Sequence, residues 1–158
     1  MLRRKSSSTI AVPVKLAALA EFRFRLRRFL SFSEAASEEF GVPAQQYQLM
    51  QVVAAVPGDR AATISYIAER MLLRHNSAVE LVDRVEKSGL VRRIADESDH
   101  RRSVVGITEE AEALLSQLVS RHLAELQSEG PALVAALQKI IGNGGRSKSG
   151  PKRKTGEK

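Results

Sequence analysis

The sequence predicts a mainly α-helical domain with one small β-hairpin. Three observations carry that expectation. Apolar residues recur at three- and four-residue steps over most of the chain, the spacing of helices that bury one stripe. Two Val- and Ile-rich runs, LVRRIAD and RSVVGIT, are separated only by ESDH, the pattern of a hairpin with a charged tip. Gly41, Pro57-Gly58-Asp59, Gly89 and Gly130-Pro131 punctuate the chain where helices should stop and turns should form.

A chain of 158 residues fits one domain and is long enough to bury a core. It has no cysteine, which excludes disulfides, cysteine-bound zinc and thiol-based sensing. The first twenty residues have a basic start and an apolar patch, but the charged EFRFRLRRF follows directly with no clear cleavage site. Export is therefore not expected. No apolar run approaches the length of a membrane span, and a cytoplasmic protein is expected. The net charge of +7 is concentrated in the tails. Residues 146–158 carry +5 and Arg3, Arg4 and Lys5 carry +3, which leaves the body at −1. An argument for nucleic acid must therefore rest on local placement, not on total charge.

In chain order, residues 1–12 read as a disordered basic N-terminus. A helix is expected over about 14–40, with Leu16, Leu19, Phe22, Leu26, Phe29, Leu30 and Ser33 as its stripe. The plain reading of that stripe is packing against another helix. A sharper reading puts Phe24 or Phe32, with Arg23 or Arg27, on a ligand pocket. Gly41 ends this helix and Pro43 opens the next, as Pro suits a first turn. Tyr47, Met50, Val53, Ala54 and Val56 form the second stripe.

The stretch Thr63 to Thr108 organises the rest. Thr63 can cap a helix, and Ile64, Ile67, Ala68, Met71 and Leu72 give it a stripe. A turn is expected at Leu73 and Arg74. His75, Asn76 and Ser77 follow as a polar cluster in which Asn or Ser suits an N-cap. Ala78, Leu81, Val82 and Val85 then mark a second helix, and Gly89 stops it. Two short helices across a tight turn form a helix-turn-helix, whose second helix sends its N-terminal residues into the major groove of DNA. Arg74, His75, Asn76, Ser77, Val79, Glu80 and Arg84 are the candidate contacts. Asn76 suits adenine, Ser77 either kind of base, and Val79 a thymine methyl. The competing reading is that Asn76 and Ser77 only cap the helix.

The hairpin tip carries Asp96, Asp99, His100, Arg101 and Arg102. Beside a reading helix such a tip can reach the minor groove, where the potential attracts Arg. The bland alternative is a solvated loop of Asp–Arg pairs, which contribute little at a surface.

After the hairpin, Thr108 caps a long helix with Glu109, Glu110 and Glu112 at its positive end. Leu114, Leu115, Leu118, Val119, His122, Leu123 and Leu126 continue it. Gly130-Pro131 is expected to break the chain, leaving Leu133, Val134, Leu137, Ile140 and Ile141 on a final short helix. The apolar faces of the first and last helices are best buried in a two-fold dimer. Residues 143–158 read as a disordered basic tail, which either adds electrostatic DNA affinity or only solubilises the chain.

These residues together resemble the MarR family of bacterial transcriptional regulators, over roughly Phe22 to Ile141. SAVELVDRVEKSGLVRR resembles the family's recognition helix running into its first wing strand, and DESDHRRSVVGITEEAEALL its wing and following helix. The resemblance implies a winged helix-turn-helix (about 43–108) within a domain spanning 13–142. Dimerisation helices would lie at about 14–40 and 108–141. Asp96, Asp99 and Arg101 match the family's wing pattern, so Arg101 is the implied tip contact, oriented by Asp99. His100 stands where the family often has a second Arg, and Leu72 where many members have Gly. The implied function is a homodimeric repressor on double-stranded DNA. The resemblance also implies a small aromatic or anionic effector, bound between the dimerisation helices and the winged domain, with Phe24, Arg27 and Phe32 as candidate lining residues.

No cofactor is expected, and an enzyme is not. HExxH, GxSxG and P-loop patterns do not occur in the sequence. A metal site at His100, Asp96 and Asp99 would lack the four convergent ligands of structural zinc. The other class to weigh is a winged-helix module that packs on protein without specific DNA binding. It requires a neutral reading face, and the Arg101–Arg102 tip argues against it.

Overall fold

The computed structural model describes residues 14–95 and 103–142. The elements run α1 (Val14–Glu39), α2 (Ala44–Ala54), α3 (Ile64–Met71), α4 (His75–Lys87), β1 (Val91–Ala95), β2 (Ser103–Ile107) and α5 (Glu109–Ile141). The expected N-terminus, hairpin tip and basic tail lie outside the described residues.

The winged head is built around α2. Tyr47, Leu49, Met50 and Val53 of this helix are buried, and they pack with Ile67, Leu81, Val82, Val85, Val91, Val105 and Leu118 in one core. The sequence stripe missed Leu49 and included Ala54, which is exposed. The reason is position. α2 touches α1, α3, α4, β2 and α5, so it is buried on more than one face and a single-stripe rule underestimates it. Thr63 caps α3 as expected, accepting from the Tyr66 amide at 3.2 Å. The two strands pair antiparallel, with Val91 opposite Ile107 and Arg93 opposite Val105.

Outside the head, α1 and α5 run antiparallel, with Arg25 bonded to Glu129 and Arg121 to Glu39. Two expectations change here. First, Gly130-Pro131 does not end the helix: α5 continues through Pro131 to Ile141. Pro131 removes one backbone donor, but Gly130 has no Cβ to meet the proline ring, which relieves the usual restriction on the residue before proline. Packing along α1 holds both halves. Second, the α1 stripe splits into two faces. Ala18, Phe22, Arg25, Phe29, Phe32, Ser33 and Ala36 turn inward or half inward, whereas Leu16, Leu19, Leu26 and Leu30 stay exposed. On α5, Val119, Leu123, Leu126, Val134, Leu137 and Ile141 are likewise exposed.

Candidate nucleic-acid interface

The turn before α4 decides what its first residues can do. α3 ends at Leu72, whose φ of 54° and ψ of 39° are left-handed, and the Leu72 side chain is 94% exposed. Leu72 is thus the turn residue and not part of the α3 stripe, which the structure limits to Tyr66, Ile67 and Ala68, with Ile64 and Met71 half-buried. The amide of Leu73 then donates to the Ala68 carbonyl at 2.9 Å, and the chain re-enters a helix at His75.

The N-cap of α4 is Arg74, in extended conformation and with no side-chain capping bond. This corrects the expectation that Asn76 or Ser77 caps the helix. They occupy its first turn instead. His75, Asn76 and Ser77 are all exposed, as are Arg74, Glu80 and Arg84, while Val79 is half-buried. The opposite face, Ala78, Leu81, Val82 and Val85, is fully buried. One face of α4 therefore fixes the helix on the head, and the other presents polar groups not engaged in capping. No acidic residue occupies its first turn, so the positive end of the helix dipole is uncompensated there. Arg60 stacks its guanidinium 5.2 Å from the centre of the Tyr66 ring, on the neighbouring α3.

The wing is fastened to α4 through Arg93, a residue the sequence reading did not single out. Its guanidinium donates to Asp83 at 2.5 Å and to Glu86, and its backbone amide donates to Glu86 at 2.8 Å. Burial lowers the Arg93 pKa, but the bonds to both carboxylates outweigh it and raise the group above its ordinary value. The signal in the sequence is faint: Arg93 lies seven and ten residues from its partners, across a turn whose geometry no local pattern gives. The candidate tip contacts Asp99, His100, Arg101 and Arg102 lie outside the described residues, as does the metal alternative at His100, Asp96 and Asp99.

His122 joins the head to the helix pair. It is buried, with Nδ1 2.6 Å from the Leu118 carbonyl and Nε2 2.8 Å from Ser33 Oγ. A carbonyl only accepts, so Nδ1 carries a proton, and in the neutral ring Nε2 accepts from Ser33. Tyr47 Oη lies 3.3 Å from Nδ1 and accepts from Gln51 Nε2 at 2.9 Å. Phe29 and Phe32 meet the imidazole edge-on. Burial raises the Tyr47 pKa above its ordinary value. The candidate pocket residues diverge within one chain. Phe32 turns in to His122, Phe24 is exposed beneath the Arg25 guanidinium, and Arg27 is exposed. The small crevice between α1 and α5 is lined instead by Arg25, Arg28, Phe29 and Glu129, among others.

Residues 40–102, from the end of α1 to the end of the hairpin tip, match the profile of the MarR family. Residues 40–102 belong to the MarR family. No curated protein sequence matches the chain. Among solved structures, the MarR family transcriptional regulator AbsC from Streptomyces coelicolor is 19% identical with a TM-score of 0.67, over 85% of this chain and 93% of AbsC. MepR, a transcription regulator of the Staphylococcus aureus multidrug efflux pump MepA, is 19% identical with a TM-score of 0.62, over 76% of this chain and 93% of MepR. The S. aureus MepR–DNA complex is 22% identical with a TM-score of 0.55, over 76% of this chain and 94% of that one. At these identities the likeness is one of fold. Because it covers more than residues 40–102, it takes in part of the α1–α5 framework as well as the MarR-family head. No helix among the described residues is long and apolar enough to cross a membrane.

Proposed function

We propose that this protein is a sequence-specific DNA-binding transcription regulator that works as a cytoplasmic homodimer on a pseudo-palindromic operator. The observation that carries this reading is the first turn of α4. Its polar residues are exposed and unused by capping, on a helix whose other face is locked into a MarR-family head. Two such helices enter successive major grooves, one helical turn apart. Arg74 and Arg84 meet phosphate, Asn76 and Ser77 meet base edges, and the hairpin tip, with Arg101 foremost, enters the flanking minor groove. The second copy covers the open faces of α1 and α5, which expose a row of leucines that a lone helix pair leaves in water. The regulator is a repressor, released when a small aromatic or anionic effector binds between the helix pair and the head and changes the spacing of the two α4 helices.

The experiment is selection from random duplexes at physiological salt. An enriched inverted repeat with half-sites about ten base pairs apart is expected. Binding without an enriched sequence would reduce the protein to a tail-driven non-specific binder. No binding at all would favour a winged-helix module that packs on protein.

A further inference from the structure

The hairpin is held by the head at its base and loses that support part-way along. At the base, Leu90 and Val91 are buried, and Thr108 donates through its hydroxyl to the Gly89 carbonyl at 2.8 Å. The Arg93–Val105 rung is gripped from both edges. The Arg93 amide donates outward to Glu86 of α4, and the Val105 amide donates outward to the Ala62 carbonyl at 2.9 Å. Beyond that rung Ile94, Ala95 and Ser103 are exposed. Among the described residues they make no hydrogen bond to the head. Arg93 is thus the last tether before the tip, and its fork on Asp83 and Glu86 ties the hairpin to the very helix whose first turn faces outward. The fork also sets a positive group between two carboxylates of α4 that would otherwise lie uncompensated on the DNA-facing domain.

We propose that Arg93 is a positioning residue, which sets the angle between the wing and α4 so that the tip and the first turn of α4 engage one duplex together. The proposal rests on the DNA-reading function above and adds to it a residue that touches no DNA. A bidentate guanidinium fixes direction as well as distance, which a lysine at this position would not do.

Two measurements test it. The first is hydrogen exchange on the full chain without DNA, comparing the parent with Arg93→Gln and, from the other side of the contact, Glu86→Gln. Exchange at the Ile94 and Val104 amides, which pair across the hairpin just beyond the Arg93–Val105 rung, is expected to rise at least about tenfold, the factor for one charge-assisted bond, with the buried face of α4 unchanged. Unchanged exchange at this outer rung overturns the clamp, whatever the DNA result. The second is a hydroxyl-radical footprint on the selected operator at saturation. Arg93→Gln is expected to lose the flanking minor-groove protection and keep the protection from α4, and Arg101→Ala is then expected to cost less than twofold further. A merely destabilised head would lose all protections together. Intact flanking protection, or an Arg101→Ala cost equal to that in the parent, overturns the positioning role. A parent protein with no footprint overturns the DNA-reading function itself, even where the exchange result stands.

Discussion

Leu72→Gly should make this protein more stable. Leu72 is the one described residue other than glycine with positive φ. The left-handed region costs a residue with a β-carbon about 1–2 kcal/mol. The Leu72 side chain is 94% exposed, so of the roughly 1.5–3 kcal/mol that full burial of a leucine contributes, almost none is at stake. Glycine brings its own cost, about 0.5–1 kcal/mol, because it has more freedom to lose on folding. The balance is a gain of about 0.5–1 kcal/mol, or roughly 1–4 °C in Tm for a chain of this size. The assay is thermal and urea unfolding at one fixed protein concentration, since association shifts apparent stability. Leu72→Ala is the control. It removes the same exposed side chain but keeps the β-carbon, so it should stay within about 0.5 kcal/mol of the parent. If Leu72→Gly proves no more stable than Leu72→Ala, the turn is not strained and the reasoning fails.

Four further outcomes are expected. Replacing Asn76 or Ser77 by alanine should shift sequence preference by about 1–3 kcal/mol at one base position, read by binding to single-base operator variants; uniform weakening would mean phosphate contact alone. Arg101→Ala should lower the salt slope of operator binding by about one unit, and an unchanged slope removes the tip from the duplex. Placing lysine at Leu30 and Leu123, which are 50% and 54% exposed in the single chain, should convert a dimer to monomer in sedimentation. A dimer that persists would place the interface elsewhere. Tyr47 gives a pH dependence. Burial raises its folded pKa, so its contribution to stability is fully present below the unfolded value of about 10 and is lost as pH climbs above it. Tyr47→Phe should flatten that alkaline fall, and an identical fall in both proteins would assign it to other groups.

Much of this architecture was legible in the sequence because its signals are local. Periodic apolar residues require a buried face, Thr63 and Thr108 each satisfy an amide one turn on, and Gly41 and Gly89 take positive φ at helix ends. α4 was readable for the same reason: Ala78, Leu81, Val82 and Val85 leave only one face for the core. What the sequence misplaced depends on which surfaces meet. Gly130-Pro131 reads as a break because its local cost is plain, while the packing of α5 along α1 that offsets it is not local. Asn76 and Ser77 read as caps until the turn at Leu72 brings Arg74 to that position. Arg93 carries no mark of its own among the body's other arginines. Only the fold brings Asp83 and Glu86 around it, because an ion pair forms where two chain segments arrive, not where their charges are written. The sequence by itself therefore determined the helices, the hairpin and the face that α4 offers. The tertiary structure decided the angle at which the wing is held against that face.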